Sequence, residues 1–249
     1  MRAGDEHGGI DPVPPGVAPE QWLASQVARA RAAGVDHVRW PVDDPTEATD
    51  RAAAAAGLVH QRDLYQLRRP LPLEPTDTAV RGSAGTLRGA AVRPFRPGTA
   101  DEAAWVQANN AAFTAHPDQG HQTLATLHEQ MAEPWFDPAG FLVIDAADDG
   151  GLAGFCWTKI HPPAGADPTL GEIYVIGVAP SHHGRGLGAK LLRAGLDHLS
   201  GQGVGVGMLY VDADNTAALK LYATLGFARH HVRRVYQDGP LEPAGPAET

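Results

Sequence analysis

With 249 residues and 43% hydrophobic side chains, the chain can bury a sizeable core, which argues against intrinsic disorder as its overall state. The net charge of −9 argues against broad nucleic-acid binding, and the single cysteine, Cys156, excludes an internal disulfide and a cysteine-rich zinc site. No apolar run approaches the roughly 20 residues of a membrane span, so we expect a soluble, cytoplasmic protein without membrane partners.

The first 70 residues predict two helices that alternate with two strands, after an opening segment rich in Gly and Pro. The predicted elements are helix 19–33, strand 36–42, helix 46–56 and strand 58–69. Gly34 and Gly57 end the two helices. Residues 70–89 have no hydrophobic periodicity, and their composition is typical of a linker.

The rest of the chain mixes helices and strands with hairpin signals, which predicts an α/β unit with a mixed sheet. Its predicted strands are 89–97, 141–147, 151–161, 170–178, 207–213 and 227–237. Its predicted helices are 99–114, 121–131, a helix that follows a Gly-rich loop and ends near Leu199, and 215–224.

An internal repeat is visible when residues 19–70 are shifted by 169 positions onto the end of the chain. Gly34 then meets Gly203, Gly57 meets Gly226, and the order helix, strand, helix, strand is the same in both stretches. This predicts two tandem copies, the first of which lacks its front half and therefore the Gly-rich loop.

The Gly-rich loop lies in residues 175–192, VIGVAPSHHGRGLGAKLL, between an apolar strand and an amphipathic helix. Its glycines at 184, 186 and 188 let the backbone approach a ligand closely, and successive amide groups at a helix start can bind phosphate oxygens. Arg185 adds a positive charge there. Most Gly-rich turns are structural, so the loop by itself leaves that alternative open.

The loop resembles the acetyl-CoA pyrophosphate loop of GNAT acetyltransferases, with His183 where that motif usually has Gln or Arg. Residues 210–227, YVDADNTAALKLYATLGF, resemble the family's second cofactor segment. The resemblance implies a GNAT fold: a mixed, mostly antiparallel sheet with splayed central strands flanked by helices. The acetyl-CoA contacts it implies are Ile176, Gly177, Val178, His183, Gly184, Arg185, Gly186, Leu187, Gly188, Ala189, Asn215, Thr216, Ala217, Ala218, Leu219 and Lys220.

Several separated pieces are similar to the mycothiol synthase family, whose members are tandem GNAT proteins that acetylate the cysteine amine of cysteinyl-glucosaminyl-inositol. These pieces are residues 109–120, 135–143, 154–162, 171–178 and 209–215. The resemblance implies substrate contacts at Asp118, Lys159, Glu172 and Tyr210. The family usually has Glu where Asp118 stands. In addition, most of the family's N-terminal half has no counterpart here, so we expect either a shortened enzyme or a start codon that is set too late.

Two residues are predicted to carry the chemistry. Glu172 lies in an apolar strand and, by alternation, on the face of Tyr174, Ile176 and Val178. It is a candidate general base for the substrate ammonium group, and the alternative is a strand-edge residue that reaches solvent. The GNAT resemblance implies that Tyr222 lies beside the thioester sulfur, which makes it the candidate acid for the CoA thiolate, with an ordinary packed aromatic residue as the alternative.

The remaining candidates have structural alternatives. Lys159 could be a solvated strand end and Asp118 a turn former. Cys156 is predicted to be a buried, inert thiol rather than a nucleophile, since GNAT transfer is direct. No metal site is predicted, because the adjacent histidines at 182–183 and 230–231 lack further ligands at suitable spacing.

The sequence therefore predicts a partial GNAT-like repeat over 1–70, a linker over 71–87 and a catalytic domain over 88–249. The predicted activity is acetyl transfer from acetyl-CoA to cysteinyl-glucosaminyl-inositol by a monomer, with the two substrates on opposite sides of splayed strands at 152–161 and 170–178. The alternatives are a GNAT enzyme that acts on another amine, either a protein N-terminus or a small molecule, and a non-catalytic acetyl-CoA-binding module.

Overall fold

The computed structural model describes residues 10, 13–14, 16–35, 37–74, 91–114, 119–147 and 150–238. The chain forms two compact units. Unit 1 comprises the described residues of Met1–Leu67, Tyr210–Leu219 and Arg229–Thr249, and unit 2 those of Arg68–Leu209 and Lys220–Ala228. Among all of these residues, no helix is both long enough and apolar enough to cross a bilayer.

Helices and strands alternate up to β2 and again from β6 onward, while the middle of the chain has two successive helices and then three successive strands. The helices are α1 (Pro19–Ala32), α2 (Glu47–Ala55), α3 (Asp101–Ala112), α4 (Leu124–Met131), α5 (Leu187–Gly201) and α6 (Thr216–Thr224). The strands are β1 (Arg39–Asp43), β2 (Val59–Pro70), β3 (Val92–Pro94), β4 (Phe141–Asp145), β5 (Leu152–His161), β6 (Leu170–Val178), β7 (Val206–Asp212) and β8 (Ala228–Gln237).

Unit 1 is built around a small core between two helices and two strands. Val27 of α1, Trp40 of β1, Ala52 of α2 and Tyr236 of β8 are all buried in it. Strand β1 pairs antiparallel with β8, so that Trp40 lies opposite Tyr236. The small side chains of the alanine-rich α2 allow α1 and the aromatic rings to pack closely against it.

Unit 2 is a sheet with helices on both faces. Its strands are hydrogen-bonded in the order β7-β6-β5-β4-β3, with β6–β7 parallel and the other pairs antiparallel. Trp105 of α3 and Leu127 of α4 pack with Phe141, Phe155 and Trp157 on one face. Helix α5 covers the other face, where Leu191, Leu192, Leu196 and Leu199 are buried. The predicted mixed, mostly antiparallel α/β sheet is confirmed.

The element bounds agree with the predicted repeat. Shifted by 169, α2 at 47–55 falls on 216–224, the bounds of α6, and α1 at 19–32 falls on 188–201, within α5. Gly34 and Gly203 both have positive φ, of 78° and 81°, at the ends of the corresponding helices α1 and α5. The correspondence supports the repeat, while the predicted division at 70 and 88 into repeat, linker and catalytic domain stays a prediction.

The predicted position of the strand splay was wrong. Strands β5 and β6 stay paired from Gly154↔Val178 to His161↔Leu170. In the described part of unit 2, β6 pairs with β7 only from Leu170↔Val206 to Glu172↔Met208. The separation therefore begins directly after Glu172, on the β7 side of β6.

Candidate active site

A β-bulge in β6 determines which side chains share a face. Trp157 pairs with Val175 and Thr158 with Ile173, so Tyr174 is an extra residue between two ladder pairs. A bulge bends its strand and interrupts the alternation of side chains. Glu172 and Tyr174 thus lie on the α3 face, whereas Ile176 pairs with Cys156 on the α5 face. The predicted common face of Glu172 with Ile176 and Val178 was wrong for this reason.

Glu172 is a buried carboxylate with a specific partner. The residue is 9% exposed, and its Oε2 lies 2.6 Å from Nε2 of His161. A buried carboxylate is costly unless it is hydrogen-bonded or paired, and the imidazole meets that requirement. The alternative of a strand-edge residue that reaches solvent is wrong, because β6 is flanked by β5 and β7.

Lys159 lies directly across from Glu172 in the β5–β6 ladder and is also buried, with 7% exposure. Its ammonium nitrogen is 4.3 Å from the centroid of the Trp135 ring and 5.3 Å from that of Tyr174. Aromatic faces attract a cation most strongly where water is excluded. The alternative of a solvated strand end is therefore wrong, and a cation and a carboxylate lie side by side on the α3 face.

The Gly-rich loop leads from β6 into α5 through a 3-10 turn at Pro180–His182. Gly184 and Gly186 have φ of 72° and 74°, and a Cβ at Gly184 would meet no atom within 4 Å. The left-handed backbone, and not lack of space, explains glycine at 184. In α5, the amide of Lys190 is the first that donates to a carbonyl four residues back, that of Gly186. The amides of Leu187, Gly188 and Ala189 come before it and therefore point out of the helix start.

The side chains of the loop bind its own backbone. His183, which replaces the family's Gln or Arg, has its Nε2 2.9 Å from the carbonyl oxygen of Val178. Arg185 is exposed and donates from Nη2 to the carbonyl oxygen of Ser181 at 3.2 Å. Both side chains bond to the backbone of the turn, so the groups that the loop could offer to a ligand are its main-chain amides. This backbone and the α5 dipole fit a pyrophosphate group.

Ile176, Gly177 and Val178 form the last part of β6 and pair with Cys156, Phe155 and Gly154. A Cβ at Gly177 would lie 2.5 Å from Cζ of the buried Phe155 ring, so the core beneath this segment requires glycine. The pairing of β6 with β7 ends at Glu172, before this segment begins. In the part of unit 2 that the structure describes, one edge of Ile176–Val178 therefore has no strand neighbour.

Tyr222 lies in the second half of α6 and is 7% exposed, with its ring 5.9 Å from that of Phe227. Burial raises the pKa of Tyr222 to about 12. The phenol therefore carries its proton at neutral pH. The Tyr222 ring is thus packed in the core, as the structural alternative expected. Its hydroxyl carries a proton, as the role of an acid requires.

Most of the other predicted contacts lie in unit 1. The hydroxyl of Tyr210 accepts a hydrogen bond from the buried Gln66 at 2.7 Å, and Arg233 lies 4.8 Å over its ring. Asn215 caps α6 by accepting from the amide of Ala218 at 3.0 Å, and Thr46, at the repeat-equivalent position, caps α2. Thr216 and Ala217 are exposed in the first turn of α6, and Ala218 and Leu219 are half-buried. Lys220 is exposed in unit 2.

Asp118 lies outside the described residues. Cys156 is fully buried, as predicted, and burial raises the pKa of its thiol to about 12, while the inertness of the thiol stays a prediction. Among the residues that the structure describes, no group of three or more His, Cys, Asp or Glu side chains could hold a metal ion.

His161 and Trp135 were missed by the sequence analysis. His161 follows Lys159 by two positions on the same strand, so alternation could have placed both on one face. Their partnership with Glu172 required the β5–β6 register. Trp135 reaches Lys159 from the segment between α4 and β4. The family resemblance includes residues 135–143, but it implied no contact between Trp135 and Lys159.

Comparison with known proteins identifies the family of the chain. Residues 103–227 match the acetyltransferase (GNAT) family. A mycothiol acetyltransferase of Kocuria rhizophila is 42% identical over 88% of this chain and 71% of its own length. Those of Rhodococcus erythropolis and Streptomyces coelicolor are 46% and 47% identical, each over 74% of this chain. The chain spans 60% and 56% of these two relatives, less than two thirds of either.

Solved structures share the fold at low sequence identity. A GCN5-related N-acetyltransferase from Sphaerobacter thermophilus has a TM-score of 0.63 at 23% identity, over 88% of this chain and 65% of that chain. A tandem GNAT protein from the clavulanic acid biosynthesis pathway has a TM-score of 0.59 at 17% identity, over 92% of this chain and 70% of that chain. The chain belongs to the GNAT acetyltransferase family and, within it, to the mycothiol acetyltransferases.

Proposed function

We propose that the chain transfers the acetyl group of acetyl-CoA to the cysteine amine of cysteinyl-glucosaminyl-inositol, a step of mycothiol biosynthesis. The proposal is supported by 42–47% identity to several mycothiol acetyltransferases. The structural observation that carries it is the buried Glu172 carboxylate at the point where β6 separates from β7. A base at such an opening can meet an amine next to the thioester.

The proton transfers follow from the two ionisable groups. Glu172 accepts a proton from the substrate ammonium, which frees the nitrogen lone pair. The nitrogen then forms a bond to the acetyl carbon while the carbon–sulfur bond breaks, and the sulfur leaves with that electron pair. Tyr222 donates its proton to the thiolate and regains one when the attacking nitrogen loses its second proton. The net products are the amide, CoA thiol and one proton.

The main chain supplies the binding of acetyl-CoA in this proposal. The amides at the start of α5 and the left-handed Gly184 and Gly186 would hold the pyrophosphate. The open edge of Ile176–Val178 would bind the pantetheine arm and polarise the thioester carbonyl. The acceptor would approach from the α3 face, where Lys159 and Glu172 lie, so that the two substrates would meet from opposite faces.

The proposal is tested by a competition for one acetyl donor. The purified chain receives acetyl-CoA together with equal concentrations of cysteinyl-glucosaminyl-inositol, the dipeptide Cys-Gly and an unrelated N-terminal peptide, and mass spectrometry identifies the acetylated product. We expect acetylation of the pseudodisaccharide conjugate. Preferential acetylation of a peptide would show a GNAT enzyme with another acceptor, and tight acetyl-CoA binding without any product would show a non-catalytic module.

A further inference from the structure

The pair formed by His161 and Glu172 joins two strands on one face of the sheet. Lys159 is directly opposite Glu172 and His161 directly opposite Leu170, so His161 is the diagonal neighbour of Glu172 in the ladder. Nε2 of His161 lies 2.6 Å from Oε2 of Glu172, a distance typical of a charge-assisted hydrogen bond.

The two side chains differ in their exposure. The side chain of His161 is 30% exposed and that of Glu172 is 12% exposed, so the imidazole lies on the solvent side of the carboxylate. With Glu172 ionised, Nε2 must carry the proton and donate it to Oε2. The hydrogen bond occupies one carboxylate oxygen and fixes the rotation of the carboxyl group, while Oε1 has no hydrogen bond to a described residue.

We infer that His161 is a positioning residue for Glu172: it holds Oε2 so that Oε1 faces the acceptor ammonium and takes its proton. This inference rests on the proposed function, since it assigns a partner to the base proposed there. His161 acts through Glu172 and contacts neither substrate in this proposal. The charged neighbour that shares this face, Lys159, also lies against Glu172 but is held over Trp135 and Tyr174.

Removal of the donor has a specific kinetic consequence. In His161→Leu the carboxylate loses its hydrogen bond, so we expect kcat to fall about 10- to 100-fold, the range of a single hydrogen bond to a charged group. The KM for acetyl-CoA stays unchanged, because no contact with that substrate is removed. In His161→Gln the side-chain amide can donate near the position of Nε2, so we expect kcat within about threefold of the wild type.

His128 offers a matched control. It forms a similar pair with Glu102, with Nε2 2.9 Å from Oε2, on the surface of unit 2. We expect His128→Leu to leave both kinetic constants unchanged. A wild-type kcat in His161→Leu would overturn the inference, and so would an equal loss in His161→Leu and His161→Gln, since that result would show a packing role.

Nitrogen-15 NMR tests the pair without relying on turnover or on the leucine variant. We expect the His161 imidazole to carry its proton on Nε2 in the wild type, and Glu172→Ala to move that resonance. An Nε2 that carries no proton in the wild type, or an unmoved resonance in Glu172→Ala, would overturn the pair itself. If the wild-type chain acetylates no amine, the proposed function fails, and the NMR result then decides the pair separately.

Discussion

Substitution of Gly195 by alanine tests how closely α5, the helix that follows the cofactor loop, packs on the sheet. A Cβ at Gly195 would lie 2.7 Å from Sγ of Cys156 and 2.9 Å from Cδ1 of Ile173, both closer than real Cβ contacts. A Cβ at Gly201, the last residue of the same helix, would meet nothing within 4 Å. Gly201→Ala is therefore the matched control.

The two substitutions share the gain in helix propensity, which is up to about 1 kcal/mol for glycine to alanine. Overpacking of a dense core costs about 1–3 kcal/mol. We therefore expect the free energy of unfolding of Gly195→Ala to lie about 1–3 kcal/mol below that of Gly201→Ala. Gly201→Ala itself should be as stable as the wild type or slightly more stable.

Urea unfolding followed by tryptophan fluorescence measures this difference, because Trp105, Trp135 and Trp157 all lie in unit 2. Cys156→Ala removes the nearest of the crowding atoms, so the double variant Gly195→Ala/Cys156→Ala should recover part of the loss, with a coupling energy of about 0.5–3 kcal/mol. Equal stability of the two single variants, or the absence of coupling to Cys156, would refute the packing that we describe for α5.

Three further predictions concern single side chains. Tyr222→Phe keeps the buried ring and removes the phenol, so kcat should fall by about 100-fold or more while the dissociation constant of acetyl-CoA, measured by calorimetry, stays the same; an unchanged kcat would exclude Tyr222 as the acid. Cys156 should resist iodoacetamide at pH 8 in the folded protein, because burial raises its pKa to about 12, and rapid alkylation would contradict this burial. Two hydrogen bonds from Arg93 lower the pKa of Asp101, so its ionised form stabilises unit 2 at pH values above the ordinary 3.8 and this stabilisation is lost as the pH falls below 3.8. The stability difference between the wild type and Asp101→Asn, from urea titrations, should shrink below pH 3.8, and a difference that grows there would show the opposite sign.

The sequence predicted the order of helices and strands well, because its signals are local. Glycine at 57 and at 226 ends α2 and α6, and apolar periodicity placed β6 at its observed bounds of 170–178. The resemblance to GNAT enzymes supplied the fold, and the sheet confirms it.

The faces of the site were harder to predict, because they depend on register. The extra residue at Tyr174 interrupts the alternation in β6, and a bulge of this kind has no clear signature in one sequence. The separation of β6 from β7 depends on pairing between segments more than 30 positions apart, which local patterns do not encode. The burial of Lys159 likewise depends on Trp135, which comes from another part of the chain.

The rate of CoA release with cysteinyl-glucosaminyl-inositol as the acceptor, compared between the wild type and Glu172→Gln, tests the central claim most directly. Glu102→Gln is the control, since Glu102 is paired with a histidine in the same way outside the site. Our account predicts that kcat/KM falls by about 100-fold or more in Glu172→Gln and stays at the wild-type value in Glu102→Gln. Equal rates for Glu172→Gln and the wild type would contradict the assignment of Glu172 as the base that prepares the amine.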